Sequence, residues 1–301
     1  TSHHKRSFWA SGHRMRPVIT LTTDFGINDP FAGIMKGVLL NIVPDAQIVD
    51  ITHNIEPQNI IQAALVLNAA YPWFPRKTIH VVIVDPGVGG SFIKNTERVP
   101  STRTGEARLG LVIRRAIVVQ SKFQTFLGPD NGVLTPILYP DSRTYEITNK
   151  KYFLNNISNT FHGRDVFAPC AGWLASGVEP SKVGPRVLKP ARQEFPQPHL
   201  KDTTLHGEII HIDHFGNLTT NISAELIREH ITSSDTIEVR IGKHRIDGLV
   251  TGYYQMKSGQ PGAIINSWNH LEIFYREDNA KKKAESQDRT ARKLERLLDY
   301  L

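Results

Sequence analysis

A chain of 301 residues is long enough for one large or two ordinary domains, and its single cysteine excludes an internal disulfide. Its 36 Lys and Arg against 29 Asp and Glu leave a net charge of +7, concentrated in residues 1–17, 91–115 and the last 26 residues. Basic charge in a tail, a loop and a terminal helix is not the aromatic-laced basic face of a nucleic-acid binder, and no apolar run approaches bilayer length.

Residues 1–16 form a basic tail, with Lys5, Arg6, Arg14 and Arg16 and no acid, and read as a targeting or appended segment outside the fold. Val18 to Thr23 is a first strand ending at Asp24-Phe25-Gly26. Gly33 to Ile42 has helical spacing and is stopped by Pro44. Gln47 to Ile51 is a short second strand, and Asn59 to Tyr71 is an amphipathic helix with Ile60, Ala63, Ala64 and Leu67 on one face. Thr78 to Val84 is a third, buried strand that runs into Asp85-Pro86-Gly87-Val88-Gly89. Strand, helix, strand, helix, strand at this spacing implies parallel pairing in a layered α/β domain.

Residues 90–112 are polar and basic and read as an inserted loop. Ala116 to Gln120 resumes as a strand, and Thr125-Phe126-Leu127 leads into Gly128-Pro129-Asp130-Asn131-Gly132. Val166 to Ser176 is a short helix begun after Gly163-Arg164-Asp165 and closed by Gly177. The α/β domain thus covers residues 17–188, and a linker marked by Pro190, Pro196 and Pro198 covers 189–202. In 203–276 the short β-rich runs Leu205 to Ile212, Thr236 to Ile241, His244 to Leu249 and Ala263 to Ile265 predict a smaller antiparallel β-barrel-like domain. Residues 277–301 predict a charged terminal helix. Cys170, in an apolar context, reads as a small buried hydrophobe, and a lone cysteine suits a reducing, cytoplasmic setting, with organellar targeting left open.

Six short polar motifs sit at predicted element ends: Asp24-Phe25-Gly26 with Asp29, Asp50 to His53, Asp85 to Gly89, Pro129 to Gly132, Phe161 to Asp165, and Asp213 to Asn217. In open α/β sheets ligands lie outside the carboxyl ends of strands, so six such motifs predict the rim of one cleft. On the residues alone Asp85 has two readings, a turn cap and a catalytic carboxylate. The histidines are scattered without ligand spacing, and the dinucleotide fingerprint, the P-loop and the Gly-x-Ser-x-Gly elbow are missing, so neither metal nor cofactor is expected.

From about Val18 to Ala280 these motifs, in this order and with Phe215-Gly216-Asn217-Leu218-Thr219-Thr220-Asn221, resemble the S-adenosyl-L-methionine (SAM) hydroxide adenosyltransferases, adenosine-forming SAM hydrolases related to the fluorinases and chlorinases. The resemblance implies displacement at the ribose C5′ by water, methionine leaving, with an Asp–Arg–His set holding the water. Asp85 and His162 fall on that pattern; Arg114 is the matching arginine across the insertion, with Arg115 and Arg98 as alternatives. It further implies Asp24 on the ribose, Asp29 and Asp213 toward the methionine end, Phe161 and Phe215 on the nucleoside, Asn217 on adenine, and Ser267 and backbone near Ala280 completing the pocket. Family members are trimers with sites between chains. The rival readings are a SAM-dependent halogenase and a non-catalytic SAM or adenosine sensor; retention of both Asp85 and His162 favours water over halide.

Overall fold

The computed structural model of the protein describes residues 16–88, 115–230, 237–242, 244–287 and 298–300. The chain divides into two compact units, Thr1–Gln193 and Glu194–Leu301, and the division falls within the proline-rich stretch.

In the first unit β1 (Val18–Thr23), α1 (Phe31–Ile42), β2 (Gln47–Thr52), α2 (Ile60–Ala70) and β3 (Ile79–Ile83) follow in order. β1 pairs in parallel with both β2 and β3, which confirms the pairing expected from the spacing. The Asn59 side chain caps α2 by accepting the Gln62 N–H at 2.9 Å. Then come β4 (Ala116–Gln120), β5 (Thr125–Pro129), β6 (Arg143–Glu146), α3 (Ala168–Ala175) and β7 (Arg186–Val187). The sheet order is β2-β1-β3-β5-β4-β6-β7, and β5 lies parallel to β3 but antiparallel to β4. Five of the seven strands run one way, with β4 and β7 reversed.

The strand period of two separates the faces. Ile19, Leu21, Val81, Ile83 and Val118 meet α1 and α3 through Met35, Leu39, Ala171 and Leu174. Val82, Val84, Ile117, Val119 and Phe126 meet α2 through Ala63 and Leu67 on the other side. The helix expected over Val166 to Ser176 starts earlier, as a π-helical turn over Gly163–Phe167 that passes into α3. A side chain at Gly163 would press on Phe161, Met35 and Phe25, so glycine lets this turn pack down on α1. Cys170 is buried as expected, and burial pushes its thiol pKa up.

A polar pair is set into the second face. Thr20 Oγ1 lies 2.8 Å from His80 Nδ1, and the His80 ring stacks on Phe126 with centroids 4.8 Å apart. Burial lowers the His80 pKa from 6.5 to about 3. Between those values the unfolded chain binds a proton that the folded state excludes, so stability is full above the upper value and drains as pH falls through the window. The slope reaches about 1.4 kcal/mol per pH unit for one such group. Urea melts of His80→Gln between pH 7 and 4 are expected to show a flatter acid limb than wild type; an unchanged slope would remove His80 as its source.

In the second unit β8 (His199–Lys201) and β9 (Thr204–His206) form a hairpin, followed by β10 (Ile209–Ile212), β11 (Leu218–Ser223) and α4 (Ala224–His230). Next come β12 (Glu238–Ile241), β13 (His244–Asp247), β14 (Pro261–Ile265), β15 (His270–Tyr275), α5 (Ala280–Gln287) and β16 (Leu298–Tyr300). The sheets are β10-β11-β15-β14 and β13-β12-β16, both antiparallel, over a core that includes Leu218, Ile222, Val239, Leu271 and Ile273. Among the described residues no sheet closes into a barrel, which corrects that expectation to open antiparallel sheets.

Two further readings change. The run Leu205 to Ile212 breaks at Gly207, where an added Cβ would fall 2.6 Å from the Ile222 side chain, and the Asn221 Oδ1 takes the Glu208 N–H at 2.7 Å. Ala280–Gln287 is helical, residues 288–297 of the expected terminal helix lie outside the described residues, and Leu298–Tyr300 is a strand on β12. An open strand edge offers backbone partners that a helix with few apolar positions lacks, so pairing prevails there. Among the described residues no helix is long and apolar enough to cross a membrane.

Candidate active site

Asp24 and Asp85 leave the carboxyl ends of adjacent parallel strands, because β1 and β3 pair with Thr23 opposite Ile83. With Phe161, His162, Gln58 and Pro86 they line one cleft of ≈ 280 Å³ in the first unit. Asp85 opens a turn in which its carbonyl accepts the Val88 N–H at 3.2 Å, with Pro86 fixing φ at the second position. His162 is buried at the head of the π-helical turn. Phe161 packs edge to face on Phe25 and Phe31, with centroids 5.9 and 5.2 Å away.

One Asp24 oxygen accepts the Gln58 N–H at 2.9 Å. Gln58 has φ 68, a left-handed conformation uncommon for a residue with a Cβ, so local strain is held where the backbone fixes this carboxylate. The sequence reading missed Gln58, since nothing in Pro57-Gln58-Asn59 announces it.

Three of the six motifs do not line this cleft: Asp213 to Asn217 belongs to the second unit, and two others turn elsewhere. Asp50 pairs with His53, whose Nε2 lies 3.1 Å from its carboxylate, and with Lys36. Burial pushes the Asp50 pKa up, but its hydrogen bonds and electrostatic interactions with Lys36 and His53 outweigh it and hold it below the ordinary value. The Pro129 to Gly132 motif turns its side chains into the fold. Arg115 donates Nε to Asp130 at 2.8 Å and Nη2 to the Lys189 carbonyl at 3.2 Å, so this candidate for the water-holding set is engaged elsewhere. Arg114 and Arg98 lie outside the described residues. Beside His162, the fully buried Asp165 accepts Arg164 Nε at 2.6 Å and the Ser158 N–H at 2.7 Å. Burial raises the Asp165 pKa, yet these bonds hold it below the usual carboxylate range.

The second unit carries its own cleft, of ≈ 830 Å³, lined by Asp213, Phe215, Asn217, Tyr253, Tyr254 and Asn279 among others. Phe215 and Tyr254 are each 73% exposed, an unusual state for large rings unless something covers them. Asn217 donates Nδ2 to Asp213 Oδ2 at 3.0 Å and its backbone N–H to Oδ1 at 2.8 Å, so its Oδ1 remains as the acceptor. Gly216 has φ 88, and a Cβ there would fall 2.3 Å from Asn279, so glycine lets this turn touch the start of α5. Ala280 is buried at that helix start, next to Lys281, whose N–H donates to the Gly216 carbonyl at 3.0 Å. Tyr253 donates its hydroxyl to the buried Glu272 at 2.8 Å, and burial together with that bond raises its pKa. The tyrosines were missed because Gly252-Tyr253-Tyr254 fits no motif, although adjacent aromatics beside a glycine were the available signal. Asp29 and Ser267 are exposed and line neither cleft. Among the described residues no three His, Cys, Asp or Glu side chains gather as a metal site.

Profiles of the SAM hydroxide adenosyltransferase N-terminal and C-terminal domains match residues 19–94 with 112–184 and residues 207–290, respectively. The break at 95–111 lies inside the stretch read as an insertion. An (R)-S-adenosyl-L-methionine hydrolase of Methanocaldococcus jannaschii is 34% identical over 282 residues, which cover 88% of this chain and 90% of that protein. A fluorinase of Nocardia brasiliensis is 30% identical over 215 residues, 69% of this chain and 71% of its own length. The crystal structure of an uncharacterized conserved protein from Thermotoga maritima superimposes with a TM-score of 0.78 at 31% identity, covering 94% of this chain and 99% of the other. The matched segments contain the residues of both clefts in both units, and the chain belongs to the SAM hydroxide adenosyltransferase family.

Proposed function

We propose that the protein hydrolyses SAM to adenosine and L-methionine. The observation that carries the reading is the meeting of Asp85 and His162 in one cleft beside Asp24, in a chain 34% identical to a protein named a SAM hydrolase. Water attacks the ribose C5′, the O–C5′ bond forms as the C5′–S bond breaks, and the sulfonium sulfur keeps the electron pair as the methionine thioether. His162 takes the proton from the water, and Asp85 orients the imidazole or pairs Arg114. Arg114 stays charged, so it anchors the hydroxide-like oxygen rather than acting as a base. Attack by a partly anionic oxygen on a sulfonium neutralises charge, and a dry pocket favours that change.

Asp24, with one oxygen held by Gln58, offers the other to the ribose hydroxyls. Phe215 and Tyr254 flank the purine, and Asn217 Oδ1 accepts from its amino group. Phe161 packs on the nucleoside. Asp213 and Asp29 serve the methionine end, and Ser267 and backbone at Ala280 complete the pocket. We assign the working assembly to a homotrimer in which the first unit of one chain meets the second unit of its neighbour. Substrate residues divided between two clefts support that assignment. The substrate carries its own leaving group, so the proposed reaction uses no cofactor.

A halogenase is the second reading, favoured by the fluorinase similarity. Incubation with SAM, with and without halide, followed by chromatography separates the outcomes. Adenosine and methionine in equal amounts are expected; a 5′-halo-nucleoside supports the rival, and intact SAM overturns both.

A further inference from the structure

We infer that the corner Pro129-Asp130-Asn131-Gly132 is a positioning device that ties Val84 to Arg115, and so sets where Asp85 stands relative to Arg115 whatever chain joins them. This rests on the hydrolase reading for the role of Asp85, but the geometry is independent of it. Asn131 serves the first end. Its Nδ2 donates to the Val84 carbonyl at 2.9 Å, one peptide before Asp85, while its Oδ1 accepts the Val133 N–H at 3.1 Å. Both ends of the carboxamide are engaged, so its rotamer is fixed.

Asp130, the adjacent residue, serves the second end. Its backbone N–H donates to the Arg115 carbonyl at 2.8 Å, and its side chain, 2% exposed, accepts Arg115 Nε at 2.8 Å. The Ala191 N–H fills the other carboxylate oxygen at 2.7 Å. Anchoring the backbone and guanidinium of Arg115 fixes the residue at which the chain enters β4. The corner itself is braced. Gly132 has φ 94, and an added Cβ would lie 2.7 Å from the Gln193 nitrogen, while Thr135 Oγ1 accepts the Gln193 N–H at 2.8 Å.

The arrangement explains how the family match can pause at 95–111 and resume at 112. Closing a longer loop costs only about 0.6 kcal/mol per doubling of its length, provided its ends are held. Charge-assisted and part-buried, the Arg115–Asp130 pair is the kind of contact that fixes geometry, and it makes no demand on the length of chain between the two anchors. Positioning errors of about 1 Å at a reacting centre cost ~10²-fold in rate.

The test compares wild type, Asn131→Ala and a chain in which 99–111 is replaced by a short Gly-Ser link, all assayed for adenosine release from SAM. Asn131→Ala is expected to lower kcat by ~10²-fold with KM nearly unchanged, since it displaces Asp85 without touching substrate. The shortened chain is expected to keep wild-type kcat, because the corner rather than the loop sets the separation. Retained kcat in a folded Asn131→Ala protein overturns the inference. So does loss of kcat in the shortened chain, and that arm decides the matter if Asn131→Ala fails to fold. Absence of turnover in wild type is a different result and strikes the hydrolase reading itself.

Discussion

Asp85→Asn is expected to lower kcat for SAM hydrolysis by ~10²–10⁴-fold, the range of a positioned acid or base group, with SAM affinity by calorimetry nearly unchanged. The substitution keeps the shape of the side chain and removes only its charge. The Asp85 carbonyl that accepts from Val88 is untouched, so the turn survives and the effect reads out chemistry rather than folding. On the proposed roles, removing the carboxylate deprives His162 of the group that orients it and the water of its alignment along the C5′–S axis. Because the missing interaction develops in the transition state, kcat and kcat/KM fall together. Near-wild-type kcat would return Asp85 to a turn residue, and joint loss of folding and binding would make it structural.

Phe215→Ala and Tyr254→Ala are each expected to weaken SAM binding instead, raising KM ~10–100-fold at little cost to kcat. Stacking a base on one aromatic face contributes about 1–3 kcal/mol, and each 1.4 kcal/mol is tenfold in affinity. Both rings are largely exposed in the second unit's cleft, so truncation leaves no cavity in the core, and Tm should stay near that of wild type. Adenosine, which lacks the methionine end, should lose affinity by the same factor if the rings hold the purine. Unchanged adenosine affinity in both variants would place the purine elsewhere. Together the two experiments test a division of labour in which the first unit's carboxylate governs rate and the second unit's rings govern occupancy.

Much of the first unit was legible because its signals are local. Val18 to Thr23 alternates between two buried faces, Asn59 caps its helix, and Pro44 ends another; each feature depends on residues a few positions apart. The weakly marked elements were harder. β6 is four residues long and β7 two, and such pieces become strands only because a neighbouring edge is available. Leu298–Tyr300 lies in a segment with helical composition, yet pairs with β12 for the same reason.

The sequence by itself determined the family, the parallel start of the sheet and the identity of the residues with chemical potential, since motif order and hydrophobic period are written along the chain. Only the tertiary structure decided how those residues divide. Asp24, Asp85, Phe161 and His162 converge on one cleft, while Asp213, Phe215 and Asn217 form another with tyrosines no motif announced. It also turned Asp130 and Asn131 from candidates for a rim into the anchors of Arg115 and Val84. Which partner a polar side chain takes depends on what the fold brings within about 3 Å of it, and that proximity, between residues more than sixty positions apart, is not encoded in any local pattern.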